Sequence, residues 1–138
     1  MQKSLELVVL DDDKMIVFLH KIMLEKSGLS SDPTCHIKAK ELIKYLIENQ
    51  ATDKNFLILL DINMPEMDGW EFLDLIESTP FSDNIFVVVV TSSNEHSDKI
   101  KAMNYKSVVD YYEKPINTKS CIKIKSIPEI AKLLQSVV

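Results

Sequence analysis

Three features of the sequence predict a doubly wound α/β fold, a single parallel sheet of five strands covered by helices on both faces. Short apolar runs alternate along the chain with amphipathic segments of three- to four-residue period, a pattern that buries a parallel sheet between helices. Two of the runs, Phe56-Leu57-Ile58-Leu59-Leu60 and Ile85-Phe86-Val87-Val88-Val89-Val90, lack polar alternation and therefore read as strands buried on both sides. Carboxylates stand where the first and third runs stop, at Asp11-Asp12-Asp13 and at Asp61. Open α/β sheets place their ligands outside these carboxyl ends.

The first strand covers Leu5 to Leu10. From Lys14, the residues Met15, Phe18, Leu19, Ile22 and Met23 recur at helical steps and predict one apolar face, with Gly28 at the position of a carboxyl cap. Pro33 to Ile37 is room for a short second strand, and a helix over about Lys38 to Asn49 would bury Leu42, Ile43, Leu46 and Ile47. The third strand, Phe56 to Leu60, runs into Met-Pro-Glu-Met-Asp-Gly, which breaks it and opens a helix from Trp70 to Glu77 with Phe72, Leu73 and Ile76 inward. After the polar turn Phe81-Ser82-Asp83-Asn84 comes the fourth strand, the most β-branched run of the chain, followed by Thr91-Ser92-Ser93. A helix over about His96 to Tyr105 and a fifth strand, Val108 to Tyr112, complete the alternation. The flavodoxin-like strand order 2-1-3-4-5 sets the first and third strands side by side at the switch point, so Asp11-Asp12-Asp13 and Asp61 converge in one crevice. Thr91 and Lys114 reach the same edge from the fourth and fifth strands.

The chain of 138 residues, 46% hydrophobic with two glycines and five prolines, is expected to form one domain over 1–138. Its formal charge of -5 combines 21 acidic residues with 16 basic ones, every one of them lysine. Arginine is the preferred bidentate reader of phosphate and guanine, so no nucleic-acid partner is expected. Cys35 and Cys121 lie far apart without ligand spacing, which suits inert packed thiols in a reducing compartment. His20, His36 and His96 likewise share no ligand spacing. Charge near the amino terminus argues against a signal peptide and no run reaches the ~20 apolar residues of a span, so a cytoplasmic location with no membrane partner is expected.

Carboxylates crowded at one edge repel unless a cation neutralises them, and an all-oxygen aspartate site suits magnesium, with manganese able to substitute. Asp61 is then a plausible nucleophile, because an aspartate can form an aspartyl-phosphate. The Lys114 ammonium and Thr91 hydroxyl would stabilise charge on the phosphoryl oxygens. A second chemistry is an aspartate-nucleophile phosphatase, in which an Asp-x-Asp at the first strand's end attacks. Asp11-x-Asp13 fits that spacing, but no cap insertion to hold a substrate is present.

Four pieces, in order and at these separations, resemble a response-regulator receiver domain of two-component signalling, similar to the single-domain chemotaxis regulators. They are Val-Leu-Asp-Asp-Asp at 9–13, Leu-Leu-Asp-Ile-Asn-Met-Pro-Glu-Met-Asp-Gly at 59–69, Val-Thr-Ser at 90–92 and Lys114-Pro115, and the match covers about 5–116. The resemblance implies that Asp61 accepts a phosphoryl group from a sensor histidine kinase or a histidine phosphotransfer protein. It makes Asp12 a direct magnesium ligand, Asp11 a water-bridged one, and Asn63 a ligand through its backbone carbonyl, with Asp13 outside the set. Thr91 and Tyr111 become the moving switch pair, Lys114-Pro115 a cis peptide, and Asn63 and Ser93 the positions that tune phosphoryl lifetime. Such a protein is not an enzyme beyond its own phosphoryl transfer and dephosphorylation. With no DNA-binding domain expected, its output is contact with a downstream protein or relay of the phosphate. A constitutive, unphosphorylated scaffold is the alternative.

The sequence departs from the family in two places. Ser107-Val108 stands where a glycine-alanine pair is usual before the fifth strand. In the tail, Cys121-Ile122-Lys123-Ile124-Lys125 alternates like a strand, while Ser126-Ile127-Pro128-Glu129 offers a helix start. These patterns predict an irregular or loosely helical 117–125, a last helix from about Ile127 with Ile130, Leu133 and Leu134 on one face, and a remodelled partner-binding face.

Overall fold

The computed structural model describes residues 4–30, 32–50, 54–92 and 95–135. Strands β1 (Ser4–Leu10), β2 (Thr34–His36), β3 (Lys54–Leu60), β4 (Ile85–Thr91) and β5 (Val108–Glu113) alternate with helices α1 (Lys14–Lys26), α2 (Ala39–Glu48), α3 (Gly69–Glu77), α4 (His96–Met103), α5 (Thr118–Ser126) and α6 (Pro128–Gln135). All strand pairs are parallel and the sheet order is β2-β1-β3-β4-β5, as the alternation predicts. Ser93, one of the two lifetime positions, lies outside the described residues.

The wholly apolar strands are apolar because both of their faces are covered. On one side Val8, Leu10, Ile58, Leu60, Val87 and Val89 pack under α2, α3 and α4 through Leu42, Leu46, Phe72, Leu73, Ile76 and Ala102. On the other, Leu7, Val9, Leu57, Leu59, Val88 and Val90 meet Leu24 of α1, Cys121 and Ile124 of α5 and Ile130 of α6.

Three expectations about faces are corrected. Helix α1 turns Met15, Phe18 and Ile22 to solvent, at 65%, 58% and 37% exposure, and buries His20 and Leu24 instead. Its apolar residues are so dense that the three- to four-residue period has two equivalent solutions, and docking on β1 and α5 selects the one containing the histidine. On α2, Ile47 is exposed while Ala39, Leu42 and Leu46 are buried. In the tail, residues 118–126 form a regular helix rather than an irregular segment, because Asn117 caps it by accepting from Ser120 N–H at 2.9 Å. Cys121 and Ile124, three residues apart, face the core and leave Ile122 59% exposed, so the strand-like alternation does not decide the structure. The helix stops where Ile127 is extended, with ψ 125°, ahead of Pro128, and a second helix begins there as predicted.

Candidate functional site

The sheet's own hydrogen bonding positions the site residues. Just beyond the strand ends, Asp11 N–H donates to the His36 carbonyl, Asp61 N–H to the Leu10 carbonyl and Lys114 N–H to the Thr91 carbonyl, at 3.2, 3.0 and 2.8 Å. Each residue is thereby held in register with its neighbour at one edge. Oxygens of Asp11, Asp12 and Asp61 come within 4.8 Å of one another, with Asp11 and Asp61 buried and Asp12 exposed. Asp13 stands apart from them: its carboxylate accepts from Met15 N–H at 2.9 Å and caps α1.

Lys114 joins the acidic residues. Its Nζ donates to Asp11 Oδ2 at 2.8 Å and lies 3.3 Å from Asp61 Oδ2. The second contact is electrostatic rather than an aligned hydrogen bond, so Asp61 Oδ2 is buried with no hydrogen-bond partner, while Oδ1 accepts from Asn63 N–H at 3.2 Å. Burial, and then the charge of Asp11, push the Asp61 carboxyl up to about 6, with Lys114 opposing. Burial alone would lower Lys114, but the Asp11 and Asp61 carboxylates outweigh it and hold the ammonium above the ordinary lysine value.

Thr91 ends β4 fully buried, and Asn63 Nδ2 reaches its hydroxyl at 3.5 Å. Tyr111 shares the Thr91 side of the sheet because of one irregularity. Val87 pairs with Val108 but Val88 with Asp110, so Val109 is an extra residue that resets the alternation and sets Tyr111 opposite Val89 on the α3–α4 side. Without that bulge, Tyr111 would pair with Val90 and face α5. The Lys114–Pro115 peptide is cis.

The turn from β3 to α3 fits closely around Asp61. Gly69 N–H donates to the Ile62 carbonyl at 2.8 Å, and a Cβ at residue 69 would lie 2.6 Å from Ile62 Cα and 2.8 Å from the Asp61 carbonyl oxygen. Only glycine fits that approach. Asp68 caps α3 in a reciprocal pair with Glu71, and Glu66 takes a left-handed φ of 67°. A cleft of about 230 Å³ opens beside Asp12, lined by Ile37, Lys38, Met64, Pro65 and Met67.

The family model for the response regulator receiver domain matches residues 7–125. The chain belongs to the receiver family. It is a receiver domain of the response regulators of two-component signalling. The receiver is 34% identical over 83% of its length to the regulatory protein VanRc of Enterococcus gallinarum, of which it spans 45%. It is 28% identical over 88% of its length to an uncharacterized 14.6 kDa protein of Leptolyngbya boryana, of which it spans 87%. A two-component response regulator from Cytophaga hutchinsonii superposes with a TM-score of 0.82 at 25% identity, over 97% of this chain and 99% of that one. The match extends past residue 116 through most of α5, in keeping with the regular helix found there. Among the described residues, no helix is long and apolar enough to cross a membrane.

Sequence reasoning missed one neighbour of the site and one anchor at the opposite edge of the sheet. His20, set aside for want of ligand spacing, is buried beside the turn that carries Lys114. Glu77 accepts from Ser107 N–H and Oγ at 2.6 and 2.7 Å, so the Ser107-Val108 departure comes with its own anchor on α3. Neither shows a periodic or motif signal, because each contact joins segments distant in the chain.

Proposed function

We propose that Asp61 is the phosphoryl acceptor of this receiver and that its Oδ2 is the attacking atom. The observation that carries the reading is that oxygen itself: buried, free of hydrogen bonds, 3.3 Å from the Lys114 ammonium and grouped with Asp11 and Asp12. In the transfer, Oδ2 forms a bond to phosphorus as the bond from phosphorus to the donor's histidine nitrogen breaks, and that imidazole keeps the electron pair. The Lys114 ammonium and the Thr91 hydroxyl would bind the phosphoryl oxygens, so that charge develops against fixed partners.

The donor set fits magnesium, since hard carboxylate oxygens with one exposed member leave room for water. Asp12 would bind directly, Asp61 through a carboxylate oxygen and Asn63 through its backbone carbonyl. Asp11 already accepts from Asp13 N–H and from Lys114, which suits a water-bridged role. Bound there, the ion would neutralise the carboxylates and the incoming phosphoryl group. Thr91 and Tyr111, on one side of the sheet, are the pair through which occupancy of Asp61 would reach α4 and β5 and a downstream protein. The receiver catalyses only its own phosphorylation and dephosphorylation.

Intact mass after incubation with magnesium and acetyl phosphate tests the reading. The expected result is a phosphate-sized gain that needs magnesium, is labile to hydroxylamine and is absent in Asp61→Asn. No gain in the wild type, together with no binding of a beryllofluoride mimic, overturns it and leaves the constitutive scaffold.

A further inference from the structure

His20 is a histidine that the phosphoryl-transfer reading leaves unused. It lies in α1, two turns after Asp13, and is 1% exposed. Its Nε2 accepts the backbone N–H of Ile116 at 3.3 Å, bridging 96 residues of chain. Ile116, itself buried, is the second residue after Lys114. A buried N–H without a partner would be costly, so the imidazole acceptor fixes where this turn sits. The rest of the α1–α5 seam supports that anchor: Cys121 Sγ contacts the Met23 carbonyl at 3.9 Å and Lys125 Nζ donates to the Ser27 carbonyl at 3.1 Å. Burial, and then the nearby Lys114 charge, hold His20 down to about 4, so its ring is neutral at pH 7 and free to accept.

We infer that His20 is a positioning residue for phosphoryl transfer, acting through Lys114 by accepting the Ile116 N–H and so holding the Lys114-Pro115-Ile116 turn against α1. The inference rests on the proposed role of Asp61. Helix α1 also follows the Asp11-Asp12 loop directly, so one rigid helix references both the acidic residues and the ammonium. A hydrogen bond at the far end of the turn can then affect the rate, because small misplacements of a charge-stabilising group are costly.

The test compares initial phosphorylation rates with acetyl phosphate and magnesium for wild type, His20→Leu and His20→Gln, each also in a Lys114→Ala background. Leucine fills the space without an acceptor, while the Gln amide oxygen can reach the Nε2 position. We expect His20→Leu to lower the maximal rate about tenfold, His20→Gln to recover most of it, and His20→Leu to add less than about twofold on Lys114→Ala. An unchanged rate in His20→Leu overturns the inference, as does an equal loss in the Gln variant or a full additional loss on Lys114→Ala, either of which marks a general packing role. Should the Leu variant fail to fold, the imidazole ¹H–¹⁵N spectrum of the wild type decides: the Nδ1–H tautomer supports the acceptor role and an Nε2–H tautomer ends it. If the wild type takes up no phosphoryl group and binds no beryllofluoride mimic, the Asp61 reading fails and this inference fails with it. Uptake by a wild type whose His20 variants are unaffected removes this inference alone.

Discussion

Asp61 carries a cost that its surroundings only partly offset. Its carboxyl, pushed up to about 6 from 3.8 by burial and by Asp11, binds a proton more tightly folded than unfolded. Metal-free stability should therefore rise as the pH falls from about 6 towards 3.8, and at pH 7 the ionised Asp61 costs on the order of 1–3 kcal/mol. Asp61→Asn should accordingly unfold at a higher denaturant midpoint than wild type at pH 7 without magnesium, and magnesium should narrow the gap. Equal midpoints would mean that the acidic residues are relaxed by solvent. Glu6 shows the opposite sign. Burial raises its pKa, but hydrogen bonds from Tyr45 at 2.6 Å, Thr34 at 2.9 Å and Lys54 at 3.1 Å outweigh that and leave it lowered. Its contribution is present above the ordinary value of 4.5 and is lost as the pH falls through the lower folded value. Denaturant titrations should find Glu6→Gln about 1 kcal/mol less stable at pH 7, with the difference closing below pH 4.5.

At the scale of elements, α5 is the sharpest case of pattern against packing. The Cys121-Ile122-Lys123-Ile124-Lys125 alternation would make 117–125 indifferent to capping, whereas the helix depends on Asn117. Asn117→Ala should cost about 1 kcal/mol and Asn117→Asp much less, read as shifts in thermal unfolding. A neutral Asn117→Ala would revive the irregular tail. The strands were legible in the sequence because burial on both faces leaves wholly apolar runs, and the acidic residues, Thr91 and Lys114 because the sheet order brings strand ends together. What stayed hidden depends on partners distant in the chain. The dense apolar residues of α1 do not say which side docks, so Met15, Phe18 and Ile22 read as core. Ile47 looked inward for the same reason. The Val109 bulge that sets the side of Tyr111 is a property of pairing with β4, and no single-strand pattern encodes it.

Across the whole molecule, side-chain contacts tie together the elements on both faces of the sheet that carries the proposed phosphoryl site. On one, His20 and Lys125 link α1 to the β5–α5 turn and to α5. On the other, α3 holds α4 and the turn into β5: Lys101 Nζ sits 4.3 Å over the Trp70 ring, Trp70 stacks on Tyr105 at 6.1 Å, Tyr105 donates to Asp74 and Glu77 holds Ser107. Because the acidic residues come together only when the strand ends are assembled, magnesium should bind the folded chain and not the unfolded one. At a hundred times its dissociation constant it should then add about 2.7 kcal/mol to unfolding, a rise in midpoint on the order of 10 °C for a domain of this size. Asp12→Asn should lose most of that rise while keeping the fold, because Asp12 is the exposed member of the set and packs little of the core. A magnesium-induced shift that survives Asp12→Asn would place the ion elsewhere. The absence of any shift in wild type would mean that the acidic residues are satisfied by Lys114 alone, and that the ion enters only together with the phosphoryl donor.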